Sequence, residues 1–354
     1  MSTTTDLTPE TVAAGDPTGQ FAEALNLSEH LRDALWRVES ARIEPHDAPG
    51  GLVVAGMGGS GIGASLAIAT LGDRASRSMC VTRGYALPPW TTPDTTVLCA
   101  SYSGETEETL AAFDAAGAVG ARRIVATTGG TLAASAREED VPVIPLPGGF
   151  QPRAAVGYGL VISLEVAALA GVAESLHTEI DVAAAHADRL AGEWGPGAPA
   201  DSAAKRLARA LQGTVPIITG ADLTAPIAYR WKTQFNENAK SPAFAGELPE
   251  IDHNEIVGWA RTPNVGRLSA VFLDDCDLHP RVRERIALTR ELIAPGTAAN
   301  ELVESVGQTR TERLVSLVLL GDLVTLYLAI LDGVDPVEID VLHALKAALK
   351  STTV

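Results

Sequence analysis

From residue 51 onward, short runs rich in Val and Ile alternate with longer Ala- and Leu-rich stretches, and this alternation constrains the fold more than any other feature of the chain. GLVVAG, SMCVTR, TVLCAS, RRIVATT and VPVIPL have the length and β-branched content of strands. GASLAIATLG, ETEETLAAFDAAGAVG and VGYGLVISLEVAALAG read as helices. Strands without polar alternation, separated by helices, predict a parallel sheet covered on both faces. An Ala-rich helical region at 174–212, broken by GPGAPA, is followed by a restart of the pattern. There TVPIIT, LSAVFLDD and ELVESV read as strands, and TAPIAYRWKTQFNENAK and RVRERIALTRELI as helices. A long apolar helix, TERLVSLVLLGDLVTLYLAILDG, and a last helix in VEIDVLHALKAALK close the chain. The expected division is an N-terminal extension and helix (1–47), a first α/β domain (48–173), a helical connection (174–212) and a second α/β domain with a C-terminal helix (213–354). VVAGMGGSGIGA and IITGADLTAPIA share a strand-loop-helix opening, in keeping with a duplicated domain.

Charge narrows the function classes. A formal net charge of −17 disfavours binding to nucleic acid or to an anionic membrane surface. A phosphorylated ligand must then be held by local donors against the overall field. Cys80, Cys99 and Cys276 lie in or beside apolar stretches and read as buried reduced thiols. No apolar run is expected to span a membrane. The first twenty residues, MSTTTDLTPETVAAGDPTGQ, lack a basic and apolar leader and read as a frayed start. The expectation is a cytoplasmic protein.

Two strand-to-helix turns carry candidate chemistry. In GMGGSGIGAS, Gly56, Gly58 and Gly61 fit the G-x-G-x-x-G spacing that lets backbone amides approach an anion. A dinucleotide is disfavoured, because SMCVTRGY does not end on an acid that would bind a ribose hydroxyl. The second turn, SYSGETEET, gathers Ser101, Ser103, Thr106 and Thr109, with Glu105, Glu107 and Glu108 suited to a first helical turn. An ordinary N-cap, through Ser103 with Glu107 or Thr106 with Thr109, explains one hydroxyl but not the cluster. Hydroxyls and helix-terminal amides on adjacent turns suit a phosphate dianion.

Together GMGGSG and SYSGETEET resemble the sugar isomerase (SIS) fold, whose domains bind phosphosugars. QPRAAVGY, NENAKSPAF and PEIDHNEIVGW narrow the resemblance to the bifunctional phosphoglucose/phosphomannose isomerases, over roughly residues 50–350. That resemblance implies two SIS-type domains of three-layer α/β/α form. It implies an aldose–ketose isomerase converting glucose 6-phosphate, with mannose 6-phosphate as a further substrate, to fructose 6-phosphate through a cis-enediol. Ser60, Ser101, Ser103 and Thr106 would bind the phosphate with the backbone at Gly59. Arg153 would stabilise the enediolate, and Glu237 would move the proton between C2 and C1. His253, from the other subunit of a homodimer, would open the ring with help from Lys346, Lys350 being the neighbouring alternative. The C-terminal helix would pack back over the site. The long apolar helix is a further reason to expect a dimer. No cofactor or metal is implied.

The chemistry supports these roles on its own terms: a carboxylate reaching two adjacent carbons, a cation where enediolate charge develops, and a group titrating near neutrality. Asn236 and Asn238, flanking Glu237, are expected to orient it. His253 has an ordinary alternative as a loop residue bonded to Asp252 or Glu250, and two residues of His-Asn-Glu do not make a metal site. In DPVEIDVLHALK the resemblance implies a small polar residue after Asp335-Pro336, where Val337 stands. A polar group there would ease rotation of the enediol about C2–C3, which acting on both epimers requires. Rival readings are an SIS isomerase for an aminosugar or ketopentose phosphate, and a non-catalytic sugar-phosphate sensor.

Overall fold

A computed structural model describes residues 6–351, apart from the side chain of Lys350. Two parallel sheets form the frame. The first contains β1 (Leu52–Ala55), β2 (Met79–Thr82), β3 (Thr96–Ala100), β4 (Arg122–Thr127) and β5 (Val143–Pro145), in the order β2-β1-β3-β4-β5. The second contains β6 (Val215–Gly220), β7 (Phe244–Glu247), β8 (Leu268–Asp274) and β9 (Asn300–Glu304), in the order β7-β6-β8-β9. Every neighbouring pair is parallel.

Side-chain alternation along these strands builds three packed regions. Leu52, Val54, Leu98, Ala100, Ile124 and Ala126 face one large core, which also takes Ile218, Val271 and Leu273 of the second sheet. Val53, Val97, Cys99 and Val125 point the other way, onto Phe113 and Leu132. Ala270 and Phe272 likewise meet Trp259, Ile286 and Ile293. Each sheet is thus covered on both faces, as the apolar strands required.

The 23-residue helix Arg310–Asp332 runs through the shared core, with Thr311 to Ile330 all buried. Against expectation, it is long and apolar enough to cross a bilayer by length and composition. Its apolar surface is spent inside the chain, against the helices His177–Trp194, Ala203–Leu211 and Ala225–Glu237. It therefore offers no dimer face, and that argument for a dimer falls.

Other expectations also change. The start is not frayed from residue 6: Thr8 caps a helix Pro9–Gly15, and Leu7 and Val12 are buried. β7 and the helix Gly130–Glu138 lie in stretches for which the sequence predicts no element. Only Cys99 is buried, and burial pushes its thiol up to about 12, whereas Cys276 is exposed. The C-terminal helix Asp340–Lys350 does not fold back: its described side chains are all exposed, with Val341, Leu342, Leu345 and Leu349 in solvent.

Candidate active site

The strand order of the first sheet reverses between β1 and β3, so the loops leaving their C-terminal ends diverge and open a crevice. These loops are the glycine turn and the serine turn. The helix Gly58–Leu71 begins without a side-chain cap; the Ser60 and Gly61 amides donate to the Met57 carbonyl, and those of Gly58 and Gly59 are left to a ligand. Its glycines serve close approach more than positive φ. A Cβ at Gly59 would lie 2.4 Å from the Pro152 carbonyl oxygen, and one at Gly63 would lie 2.6 Å from the carbonyl carbon of Gly159. The glycine turn thus packs directly against the backbone that carries Arg153.

On the serine turn, the Ser101 and Thr106 hydroxyls lie 2.8 Å apart, and Ser101 Oγ accepts from the Gly104 amide at 3.1 Å. Gly104 holds φ +72°, and a Cβ there would overlap the Gly129 carbonyl, so only glycine fits. Thr106 occupies the N-cap of the helix Glu107–Ala118 but makes no side-chain cap bond, and no capping box forms. The ordinary capping alternative for these hydroxyls does not hold. Glu107 and Glu108 do sit in the first turn. Glu105 does not; it accepts from the amide and hydroxyl of Thr131 at the start of the next helix. Ser103 is exposed and Ser60 half-buried at the crevice.

Arg153 and Glu237, 84 residues apart in sequence, meet in the structure. Glu237 ends the helix Ala225–Glu237, and its carboxylate accepts from Arg153 Nη1 at 3.3 Å. The Arg153 side chain is 5 % exposed and that of Glu237 34 %, so the carboxylate keeps a solvent-facing side. Burial pulls the Arg153 guanidinium below its ordinary value, opposed by the Glu237 charge beside it. Neither asparagine side chain hydrogen-bonds Glu237. Asn238 accepts from Arg153 Nε at 2.8 Å, and Asn236 donates to the Ser241 carbonyl at 2.9 Å.

Sequence reasoning missed five members of this cluster: Lys240, Pro336, Arg230, Gln234 and Asp322. Lys240 Nζ donates to the carbonyls of Glu237 (2.5 Å) and Pro336 (3.2 Å). Partial burial, then the Arg153 charge, pull its ammonium below the ordinary value. Pro336 also accepts from Arg153 Nη2 at 2.6 Å, anchoring the segment that precedes the last helix. Behind them, Arg230 donates to both oxygens of Asp322, and Gln234 donates to the same carboxylate. Burial pushes the Asp322 carboxyl up, opposed by Arg230. Arg153, Arg230 and Lys240 thus gather near the carboxylates of Glu237 and Asp322, and the charges of Asp335 and Glu338 act on Lys240 as well. The run NENAK signalled polarity at a helix end, but its partners lie about ninety residues away and left no local trace.

The structure does not bring His253 or Lys346 to this cluster. His253 ends the short turn Glu250–His253 and is exposed, and its ring makes no hydrogen bond or ion pair among the described residues. Its ordinary alternative also fails: Asp252 pairs with Arg285 and Thr289, and Glu250 with Asn254. Lys346 stands on the exposed last helix, and the side chain of Lys350 lies outside the described residues. One group, Asp275, Cys276 and Asp277, brings potential metal ligands within 4.8 Å, but both carboxylates already pair with Arg313.

Comparison with known proteins assigns the fold and its lineage. A model of the bacterial phospho-glucose isomerase C-terminal SIS domain matches residues 200–349. The bifunctional phosphoglucose/phosphomannose isomerase of Caldicellulosiruptor bescii is 36 % identical, over 93 % of this chain and 98 % of its own. That of Aquifex aeolicus is 33 % identical, over 85 % and 90 %. Among solved structures, a hypothetical protein of Thermus thermophilus superimposes with a TM-score of 0.73, covering 97 % of this chain and 93 % of that one at 17 % identity. With its paired parallel sheets and relatives of this identity over nearly their whole length, this chain belongs to the bifunctional phosphoglucose/phosphomannose isomerase family, a family of SIS-domain sugar-phosphate isomerases.

Proposed function

We propose that this protein interconverts glucose 6-phosphate and fructose 6-phosphate, and more slowly mannose 6-phosphate, through a cis-enediol intermediate. The observation that carries this reading is the Arg153–Glu237 pair, tied by backbone contact at Gly59 to the hydroxyl-lined crevice. In this account the phosphate sits at the starts of the helices Gly58–Leu71 and Glu107–Ala118, with Ser60, Ser101, Ser103 and Thr106 as ligands. The sugar's C1–C2 end reaches Glu237, whose carboxylate takes the C2 proton of the aldose and returns one to C1. Negative charge that develops on the C1 and C2 oxygens is met by Arg153. A preorganised, largely buried guanidinium does this without reorganising water.

The account also includes a homodimer in which His253 opens the ring in the partner's site. The His253 ring is exposed, as are Val257 and Val265 farther along the chain and Leu288 and Leu292 on the helix Pro280–Ile293. Such apolar surface suits association of two copies. A coupled assay with glucose 6-phosphate and mannose 6-phosphate tests the reading. Turnover of both, with the glucose epimer preferred, is expected. Stabilisation by fructose 6-phosphate without turnover of any phosphohexose would assign a sensor instead.

A further inference from the structure

We infer that Asn238 is a positioning residue that holds Arg153 in place while leaving its charge for the reaction. The inference rests on the isomerase reading above and goes beyond it to a residue with no assigned role.

Arg153 is gripped unevenly. On one edge, Nε donates to Asn238 Oδ1 at 2.8 Å and Nη2 donates to the Pro336 carbonyl at 2.6 Å. On the other, Nη1 makes only longer contacts, to Glu237 Oε2 at 3.3 Å and Gln151 Oε1 at 3.4 Å. Short bonds fix the back of the guanidinium, and the long ones face the carboxylate and exchange readily when an oxyanion forms there. Both acceptors on the fixed edge are neutral, so geometry is set without cancelling charge.

The orientation of Asn238 follows from its neighbours. It is 3 % exposed, and its Nδ2 donates to Thr325 Oγ1 at 3.0 Å. Thr325, fully buried in the long core helix, places its own hydroxyl hydrogen on the Asp322 or Gly321 carbonyl. Its oxygen is therefore left to accept. Arginine can only donate, so the amide must present oxygen to Arg153 and nitrogen to Thr325. A chain of fixed polarity thus runs from the core helix through Thr325 and Asn238 to Arg153. Helix capping does not explain the side chain, since the capping bond to Gln234 comes from the Asn238 backbone. An aspartate would fit the same space but place a buried negative charge on Arg153.

The test compares wild type with Asn238→Asp and Thr325→Val, reading kcat, KM and the affinity for a phosphorylated aldonate, whose carboxylate imitates the enediolate. N238D is expected to lower kcat about 10- to 100-fold with KM within about threefold. Aldonate affinity should fall in step with kcat. T325V, which loosens Asn238 from behind, is expected to lower kcat several-fold with the same split. A residue that merely supports the fold would lower thermal stability and leave kcat per folded site and aldonate affinity unchanged in both variants, which would overturn the inference. If N238D does not fold, T325V alone decides by the same two readings. Absence of turnover in the wild type would instead overturn the isomerase reading, a separate outcome.

Discussion

Ser101 and Ser103 show how differently neighbouring hydroxyls can be placed. Ser101 is 2 % exposed and bonded to Thr106 and Gly104, while Ser103 is exposed and bonds the Glu105 amide. Each hydrogen bond to a charged phosphate contributes about 1.5–3 kcal/mol. The double variant Ser101→Ala, Ser103→Ala is therefore expected to raise KM at least about tenfold, while a non-phosphorylated hexose gains nothing. Steady-state kinetics on both sugars checks this, and an unchanged KM would remove the two residues from the pocket. These hydroxyls were legible because they cluster within six residues of sequence. Glu237 was legible through its motif, but its real partner was not. Adjacent asparagines suggested local orientation, whereas a helix end sends Asn236 and Asn238 to different sides, one to Ser241 and one to Arg153.

Two helices near the end of the chain have similar apolar content and opposite fates. In Arg310–Asp332 the apolar residues surround the axis, and the helix is buried throughout. In Asp340–Lys350 they form a stripe that this chain leaves uncovered. Leu323→Ala should therefore cost about 2–5 kcal/mol, with a cavity added to the lost transfer energy. Leu345→Ala, studied on dilute monomer, should stay within about 0.5 kcal/mol. Denaturant unfolding of both variants checks the contrast, and a large loss at Leu345 would mean that the stripe is already covered within one chain. Between the helices, the Val337 amide donates to Asp335 Oδ1 at 2.8 Å, next to the Pro336 carbonyl that holds Arg153. Val337→Thr is expected to raise the ratio of mannose 6-phosphate to glucose 6-phosphate turnover several-fold; an unchanged ratio would separate this position from epimer choice. The expected fold-back of the last helix failed for a plain reason. An amphipathic pattern announces that a face will be covered, not by what.

At the scale of the whole molecule, strand-helix alternation revealed two parallel sheets, because apolar strands between helices have few other solutions. It did not reveal that both sheets share one core built on the helix Arg310–Asp332, since that packing joins residues far apart in sequence. Nor does a single chain place His253 against Glu237. If His253 acts in the partner's site, mixing Glu237→Gln with His253→Ala protein after dissociation gives about half mixed dimers, and about a quarter of all sites regain both residues. Recovery of activity on mixing is expected, and none despite confirmed exchange of subunits would place His253 in its own subunit's site. The central claim is that Glu237 moves a proton through an enediol, and it is tested most directly by following C2-deuterated glucose 6-phosphate in water by NMR. The account predicts that wild type forms fructose 6-phosphate with loss of deuterium to solvent, and that Glu237→Gln falls at least about 10²-fold in both conversion and exchange. Complete retention of the label in the product, or conversion by Glu237→Gln within about threefold of wild type, would contradict it.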